Sequence, residues 1–203
     1  MTQNTPPDLH SAIFYRNAED VASCLMAGDV EIDCDFFQVT PLIFATHLGD
    51  KEIVKLLLDA GANPDYEDSF GSTALRWAAH DGNEEILKML IDANADVNLA
   101  DKKDKMTALH YAAYRNDHEI TKILLAAGAD PLAENAEGET PVDYARRRDS
   151  KETFQVLIDH VHREKTLQEQ HRDAVRGKKH ALLNRRHQAL RRYRNRHRRP
   201  PRR

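Results

Sequence analysis

The sequence is poor in cysteine and in aromatic residues. It contains two cysteines, Cys24 and Cys34, and they lack the CxxC spacing of metal or redox sites. Two cysteines are too few for a disulfide framework, so we expect a reducing compartment, with Cys24 buried in the core. Aromatic residues account for 6% and charged residues for 31% of the chain, which favours a helical solenoid over a compact enzyme.

The sequence also lacks long apolar runs and the motifs of common enzymes, including glycine-rich phosphate-binding loops. No stretch approaches the ~18 apolar residues that cross a membrane, and the N-terminal MTQNTPPDLH has neither the basic start nor the apolar core of a secretion signal. Gly71-Ser72-Thr73 lacks the flanking residues of a nucleophile elbow. We therefore expect a protein that is not an enzyme and needs no cofactor or metal. We expect it in the cytoplasm, or in the nucleus if the cell is eukaryotic.

The chain instead contains a repeat with a period of about 33 residues. Thr40, Thr73, Thr107 and Thr140 each begin the same short pattern, and they stand 33, 34 and 33 residues apart. Each copy predicts a helix capped by the threonine hydroxyl, a turn at glycine or asparagine, and a second helix with apolar residues at helical spacing. A glycine or asparagine ends the second helix. These stops are Gly28, Gly61, Asn94 and Gly128.

These copies resemble the ankyrin repeat, whose consensus begins G-x-T-P-L-H-x-A-A and ends G-A-D-V-N. The resemblance covers residues 9–161 in five copies. It implies an all-α ankyrin-repeat solenoid of helix-turn-helix repeats with short β-hairpin fingers, and a binding role with no particular partner. Ile43 and Arg76 replace the consensus histidine that His110 retains. In the family this histidine links the turns of neighbouring repeats, and we call such a link a joint. The joints at Ile43 and Arg76 must therefore be made by other contacts.

The predicted organisation has three parts. A disordered leader spans residues 1–8, five repeats span 9–162, and a tail rich in arginine and lysine spans 163–203. The predicted repeat boundaries are 9–34, 35–67, 68–100, 101–134 and 135–162. In the tail, a thin apolar stripe interrupted by Gly177 predicts a helix to about Tyr193. Residues 191–203 are rich enough in arginine to predict disorder.

The repeats and the tail carry opposite charge. Residues 1–162 contain 30 acidic and 14 basic residues, whereas residues 163–203 contain 3 acidic and 16 basic residues. The planar guanidinium group of arginine can donate two hydrogen bonds to one phosphate. We therefore predict that the tail binds RNA, DNA or another polyanion. The predicted residues are Arg185, Arg186, Arg191, Arg192, Tyr193, Arg194, Arg196, Arg198 and Arg199. The alternatives are a localisation signal, or self-regulation in which the acidic repeats bind the basic tail.

A protein-binding surface is predicted at the hairpin tips and at the positions that follow the paired alanines. Exposed aromatic and arginine residues there are typical of binding hot spots. The predicted residues are Phe36, Phe37, Val39, His47, Leu48, Phe70, His80, Asp81, Met106, Tyr114 and Arg115. Phe36 and Phe37 have an alternative role, which is to fold back onto the first repeat. We therefore expect a scaffold or adaptor, monomeric alone, that binds a protein partner.

Two sets of aromatic and histidine residues have other interpretations. Packing between repeats is predicted for the aromatic residues that share one position in the first helices. These are Phe44, Trp77, Tyr111 and Tyr144. His47 and His80 occupy equivalent positions in consecutive repeats, but metal ligands must converge within about 2–2.2 Å of one ion. We therefore expect both histidines to contact a partner instead of a metal.

Overall fold

The computed structural model describes residues 8–28, 30–34 and 39–196, with side chains described as far as Arg176. These residues form ten helices. They are α1 (Leu9–Phe14), α2 (Ala18–Ala27), α3 (Pro41–Leu48), α4 (Lys51–Asp59), α5 (Ala74–Asp81), α6 (Glu84–Asp92), α7 (Ala108–Arg115), α8 (His118–Ala126), α9 (Pro141–Arg147) and α10 (Lys151–Arg196). The chain divides into two compact units, Met1–Ile158 and Asp159–Arg203.

In the first unit, the helices pack in two rows. Each of α1, α3, α5 and α7 contacts the next odd-numbered helix, and we call α1, α3, α5, α7 and α9 the inner row. The helices α2, α4, α6 and α8 form the outer row in the same way. Each inner helix from α1 to α7 also packs on the outer helix that follows it. This arrangement is an all-α solenoid, as the sequence predicts.

The helix caps follow the predicted sequence signals. The hydroxyls of Thr40 and Thr140 accept hydrogen bonds from Ile43 N at 3.3 Å and Asp143 N at 3.2 Å. Pro141 occupies the first turn of α9, where a missing N–H costs little. The inner helices α3, α5 and α7 end at left-handed residues, and these are Gly49, Gly82 and Asn116. Local hydrogen bonding therefore determines where these helices begin and end.

Small and branched residues fill the space between the rows. The paired alanines Ala78-Ala79 and Ala112-Ala113 are fully buried, which allows neighbouring inner helices to approach closely. The outer helices contribute fully buried residues at helical spacing, such as Leu87 and Leu124. Cys24 is buried in the same core, as predicted. Each repeat thus buries its apolar residues against its neighbours.

The connections between the described helices are turns. Among the described residues, Val39 is an isolated bridge residue and no β-strand occurs, so the described fingers differ from the short β-hairpins implied by the resemblance. Backbone hydrogen bonds close these turns, such as those from Asp68 N to Ser72 O and from Gly71 N to Asp68 O, both at 2.9 Å. Asp8, assigned to the leader from the sequence, caps α1 by accepting from Ser11 N at 2.9 Å.

The second unit contains the greater part of α10. This helix passes Gly177 and ends at Arg196, beyond the predicted limit at Tyr193. The prediction of disorder is therefore wrong for residues 191–196, while residues 197–203 lie outside the described part. A single glycine costs a helix about 1 kcal/mol, and the surrounding arginine, leucine, alanine and glutamine residues favour the helical state. None of the described helices combines the length and the apolarity that crossing a membrane requires.

Candidate functional site

The positions after the paired alanines line up along the inner row. Phe14, His47, His80, Tyr114 and Arg147 hold equivalent places on α1, α3, α5, α7 and α9, and all are exposed. Three of them, on α3, α5 and α7, belong to the predicted binding surface. The structure therefore brings residues from distant parts of the sequence onto one exposed face of consecutive helices. We call this face the inner surface.

Aromatic and imidazole rings touch one another along the inner surface. The centre of the Trp77 ring lies 5.1 Å from that of His47 and 5.5 Å from that of His80. The His80 ring lies 5.6 Å from the Tyr111 ring. All three contacts are edge-to-face, the geometry that aromatic quadrupoles favour. We call these four residues the aromatic ladder.

Asp81 fixes the two histidines of the ladder. One oxygen of its carboxylate lies 3.0 Å from His47 Nδ1, and the other lies 2.8 Å from His80 Nδ1. The His47 contact joins helices of neighbouring repeats, 34 residues apart in sequence. In the described part of the chain, no group of three or more histidine, cysteine or acidic residues could hold a metal ion. The arrangement holds these rings in fixed positions on the inner surface.

A small cavity opens beside the ladder. It has a volume of about 150 Å³ and is lined by Ser72, Arg76, Trp77, His80 and Tyr111. Trp77 and Tyr111 are half-buried, so each contributes both to packing between repeats and to the wall of the cavity. Trp77 Nε1 also donates a hydrogen bond to Asp68 at 3.2 Å, which orients the indole ring. The cavity is of the size that a single inserted side chain fills.

Arg76 forms the buried side of the cavity and joins two fingers. Its Nη1 donates to Gly71 O at 2.8 Å, and its Nη2 donates to Ser72 Oγ at 3.1 Å and to Asp101 Oδ2 at 3.0 Å. Arg76 and Asp101 are each 5% exposed. Gly71 also lies against the next finger, because a Cβ added there would meet Lys102 N at 2.8 Å. Arg76 thus makes the joint in a different way from the consensus histidine, as predicted.

His110 makes the joint that the resemblance implies. Its Nδ1 accepts a hydrogen bond from Thr107 N at 3.1 Å, and its Nε2 donates to Glu139 O of the following finger at 3.1 Å. Burial lowers the pKa of His110 below its usual range, because the charged form loses its hydration. The neutral ring is therefore the form that stabilises the joint.

A pH titration tests this joint. Because the folded state lowers the pKa of His110, its stabilisation is complete above the unfolded value of about 6.5 and is lost as the pH falls below it, by at most about 1.4 kcal/mol per pH unit. In urea unfolding at pH 7.5 and 5.5, His110→Gln should reduce the loss of stability. An equal loss in wild type and His110→Gln would contradict this assignment.

The predicted finger residues differ in exposure. Phe70 is 64% exposed at the tip of its turn, whereas Val39 and Met106 are half-buried against the core. Met106 Sδ accepts a contact from the Tyr144 hydroxyl at 3.8 Å. Phe36 and Phe37 lie outside the described residues. Among the described fingers, Phe70 is therefore the predicted aromatic residue most open to a partner.

The remaining predicted inner-surface residues are half-buried or exposed. Leu48 is half-buried, and its carbonyl oxygen accepts a hydrogen bond from Arg16 Nη2 at 2.8 Å. Arg115 is exposed at the end of α7. Phe14 and Tyr15, 62% and 77% exposed, were missed from the sequence because their repeat departs from the pattern. Counting positions back from the turn would have aligned them with His47 and Leu48.

Two arginines at the end of α9 also extend the inner surface. The Cζ of Arg147 lies 4.7 Å from the centre of the Tyr144 ring, and that of Arg148 lies 4.3 Å from the centre of the Tyr114 ring. Arg147 Nη1 donates to Glu139 Oε1 at 2.7 Å. The sequence places Arg147 in line with His47 and His80, but it does not indicate the stacking on tyrosine. The inner surface is therefore aromatic and acidic at its centre and cationic near α9.

The predicted tail residues lie mostly on a described backbone. Those up to Arg196 belong to α10, and their side chains lie outside the described part of the chain. They are Arg185, Arg186, Arg191, Arg192, Tyr193, Arg194 and Arg196. Arg198 and Arg199 lie outside the described residues. The role of this segment stays a prediction.

The comparison with known families supports the repeat pattern. The matching family is described as ankyrin repeats (3 copies), and its model matches residues 9–101 and 95–169. No curated protein matches the chain. The predicted number of five repeats and their boundaries stay predictions. Ankyrin repeats are generally protein–protein interaction modules and are typically not enzymatic. Because the matches extend over more than half of the chain, this protein belongs to the ankyrin-repeat family.

Proposed function

We propose that the protein is a non-enzymatic scaffold that binds a protein partner through its inner surface and its finger tips. The observation that carries the proposal is the aromatic ladder with its adjoining cavity. Exposed aromatic rings held in fixed positions supply contact area with little loss of conformational entropy on binding. His47, Trp77 and His80 are held in this way by one another and by Asp81.

The contrast between the two rows supports this choice of surface. The exposed residues of the outer row are largely charged, and several neutralise one another. Lys88 pairs with Glu84, and Lys122 pairs with Glu119 at 2.8 Å. Solvated pairs of this kind are typical of a face that meets water. The inner surface instead exposes aromatic rings, which are enriched in binding hot spots.

The test is a quantitative comparison of proteins captured from a cell lysate by the full chain and its variants. His80→Ala and Tyr114→Ala remove exposed rings, so each should reduce capture of the specific partner at least about tenfold, or ~1.4 kcal/mol. Lys88→Ala and Lys122→Ala, on the outer row, are the matched controls and should retain it. A partner lost with the outer-row variants and kept by the inner-row variants would contradict the proposal.

We further propose that the basic tail binds RNA, DNA or another polyanion and so brings the protein partner to it. The support is the separation of charge between residues 1–162 and residues 163–203, together with the predominance of arginine after Arg185. Two alternatives rest on the same charge separation. In one, the tail is only a localisation signal, and in the other the acidic repeats bind it. We further propose that the protein is a monomer when alone and resides in the cytoplasm, or in the nucleus if the cell is eukaryotic.

A further inference from the structure

The part of the inner surface near α9 is cationic, although the repeats as a whole are acidic. Residues 1–162 contain more than twice as many acidic as basic residues, yet four arginines lie at the ends of α7 and α9. They are Arg115, Arg146, Arg147 and Arg148. Arg146 pairs with Asp143 at 3.1 Å, and Arg147 pairs with Glu139 at 2.7 Å. Among the described residues, no carboxylate forms an ion pair with Arg115 or Arg148.

Arg148 lies against α7, the helix that carries Arg115. The guanidinium of Arg148 stacks on Tyr114, with Cζ 4.3 Å from the ring centre. Tyr114 directly precedes Arg115 on α7 and is 45% exposed. Stacking occupies the flat face of a guanidinium but leaves the N–H groups at its edge able to donate. Arg148 therefore presents a planar donor fork in a fixed orientation beside α7.

Arg115 extends in the same direction, toward the preceding repeat. Its Nη2 would lie 3.1 Å from a Cβ added at Gly82, at the end of α5. The aromatic cavity lies on the same pair of helices, since Trp77 and His80 belong to α5 and Tyr111 to α7. The order along the inner surface is thus a cavity walled by aromatic rings, followed by two arginines that form no ion pair among the described residues.

We propose that this part of the inner surface binds an acidic segment of a partner protein, with an apolar side chain in the cavity and carboxylates on Arg115 and Arg148. The inference rests on the proposed function and names the class of partner. The cavity volume of about 150 Å³ suits one aliphatic side chain. Carboxylates match the bidentate donors of arginine, and they supply the counter-charge that these two side chains lack. A basic segment, including the arginine-rich tail, would meet like charge here.

Trp77 allows the proposal to be tested in the full chain. It is the sole tryptophan of the sequence, so its fluorescence reports on the cavity and not on the tail. The probe is a short synthetic peptide of leucine and glutamate without tyrosine or tryptophan, titrated at about 0.15 M salt to screen exposed charges. The expected result is a saturable change in Trp77 emission. Arg115→Gln and Arg148→Gln should each weaken this binding about tenfold, because each removes a charge-assisted contact.

Two controls separate the site from general charge effects. Arg146→Gln removes the same charge two residues from Arg148, but its guanidinium already pairs with Asp143, so peptide affinity should change less than about twofold. Arg148→Lys keeps the charge and loses the planar fork, so it should weaken binding although the net charge is unchanged. A peptide with lysine in place of glutamate should bind more weakly than the acidic peptide.

Any of three results overturns the inference. These are tighter binding of the lysine peptide, equal affinity of wild type and the Arg115→Gln and Arg148→Gln variants, and unchanged Trp77 emission with both peptides. The proposed function fails separately. If the peptide experiment fails while His80→Ala and Tyr114→Ala still reduce capture of a lysate partner, the inner surface binds proteins through segments that are not acidic.

Discussion

In a titration with fluorescent RNA or DNA of random sequence, the full chain is expected to lose about 10³–10⁵-fold in affinity between about 50 and 200 mM salt. This range corresponds to contact with roughly 6–10 phosphates, each of which releases bound counterions. Residues 163–203 carry 16 basic and 3 acidic residues, which is enough charge for contacts on that scale. The measurement is fluorescence anisotropy at a series of salt concentrations.

The matched variant replaces tail arginines with glutamine in the full chain. Glutamine has nearly the helix propensity of arginine, so α10 should persist while the charge is removed. Replacing Arg185, Arg186, Arg191 and Arg192 should flatten the salt dependence, whereas Lys88→Gln and Lys122→Gln in the repeats should not. If wild type binds no nucleic acid, or if the tail variant binds with the same salt dependence, the proposal that the tail binds nucleic acid is wrong. The two alternatives, a localisation signal and binding of the tail by the acidic repeats, would then remain.

Replacing Arg76 is expected to have the largest effect on folding. Arg76→Ala should lower the free energy of unfolding by about 3–5 kcal/mol, because it leaves the buried carboxylate of Asp101 without its ion-pair partner. The carbonyl of Gly71 also loses its donor. The expected loss comes mainly from the uncompensated buried charge and not from the value of the ion pair itself. Urea unfolding followed by circular dichroism measures the change.

Two variants show whether the buried carboxylate is the cause. Arg146→Ala breaks an exposed ion pair with Asp143 and should cost no more than about 1 kcal/mol. The double variant Arg76→Met with Asp101→Asn removes both charges, so it should be more stable than Arg76→Ala. A loss for Arg76→Ala no larger than that for Arg146→Ala would show that this joint contributes little to folding.

The sequence predicts the local features of the fold because local hydrogen bonds produce them. Threonine hydroxyls cap helices within three residues, as at Thr140. Left-handed positions favour glycine or asparagine, and Asn94 indeed has a φ of 64°. Burial of the paired alanines follows from helical periodicity. These signals require no knowledge of contacts between repeats, so they could be recognised from one sequence.

Features that depend on contacts between repeats were not predictable in the same way. Asp81 reaches His47 across 34 residues, and Arg76 reaches Asp101 across 25 residues. Both contacts depend on side-chain rotamers and on the spacing of neighbouring helices, which the repeat pattern does not specify. The sequence indicated that Arg76 must replace a histidine joint, but it did not identify Asp101 as the partner.

The composition of the arginine-rich segment also failed to predict its secondary structure. The arginine-rich residues 191–196 belong to α10, although their charge predicts disorder. Mutual repulsion of arginines opposes helix formation, but arginine is itself a strong helix former, and the preceding turns already provide a helical end to extend. Charge therefore did not indicate the secondary structure of this segment.

The most direct test of the proposed binding surface is site-specific photo-crosslinking in the full chain. A photoreactive amino acid replaces His80 or Tyr114 on the inner row, and Lys88 or Lys122 on the outer row, before exposure to lysate and light. We expect covalent adducts with one protein partner from the inner-row positions and none from the outer-row positions. Adducts from the outer-row positions alone would show that the partner binds the opposite face, and would contradict the proposal that the aromatic ladder is the binding surface.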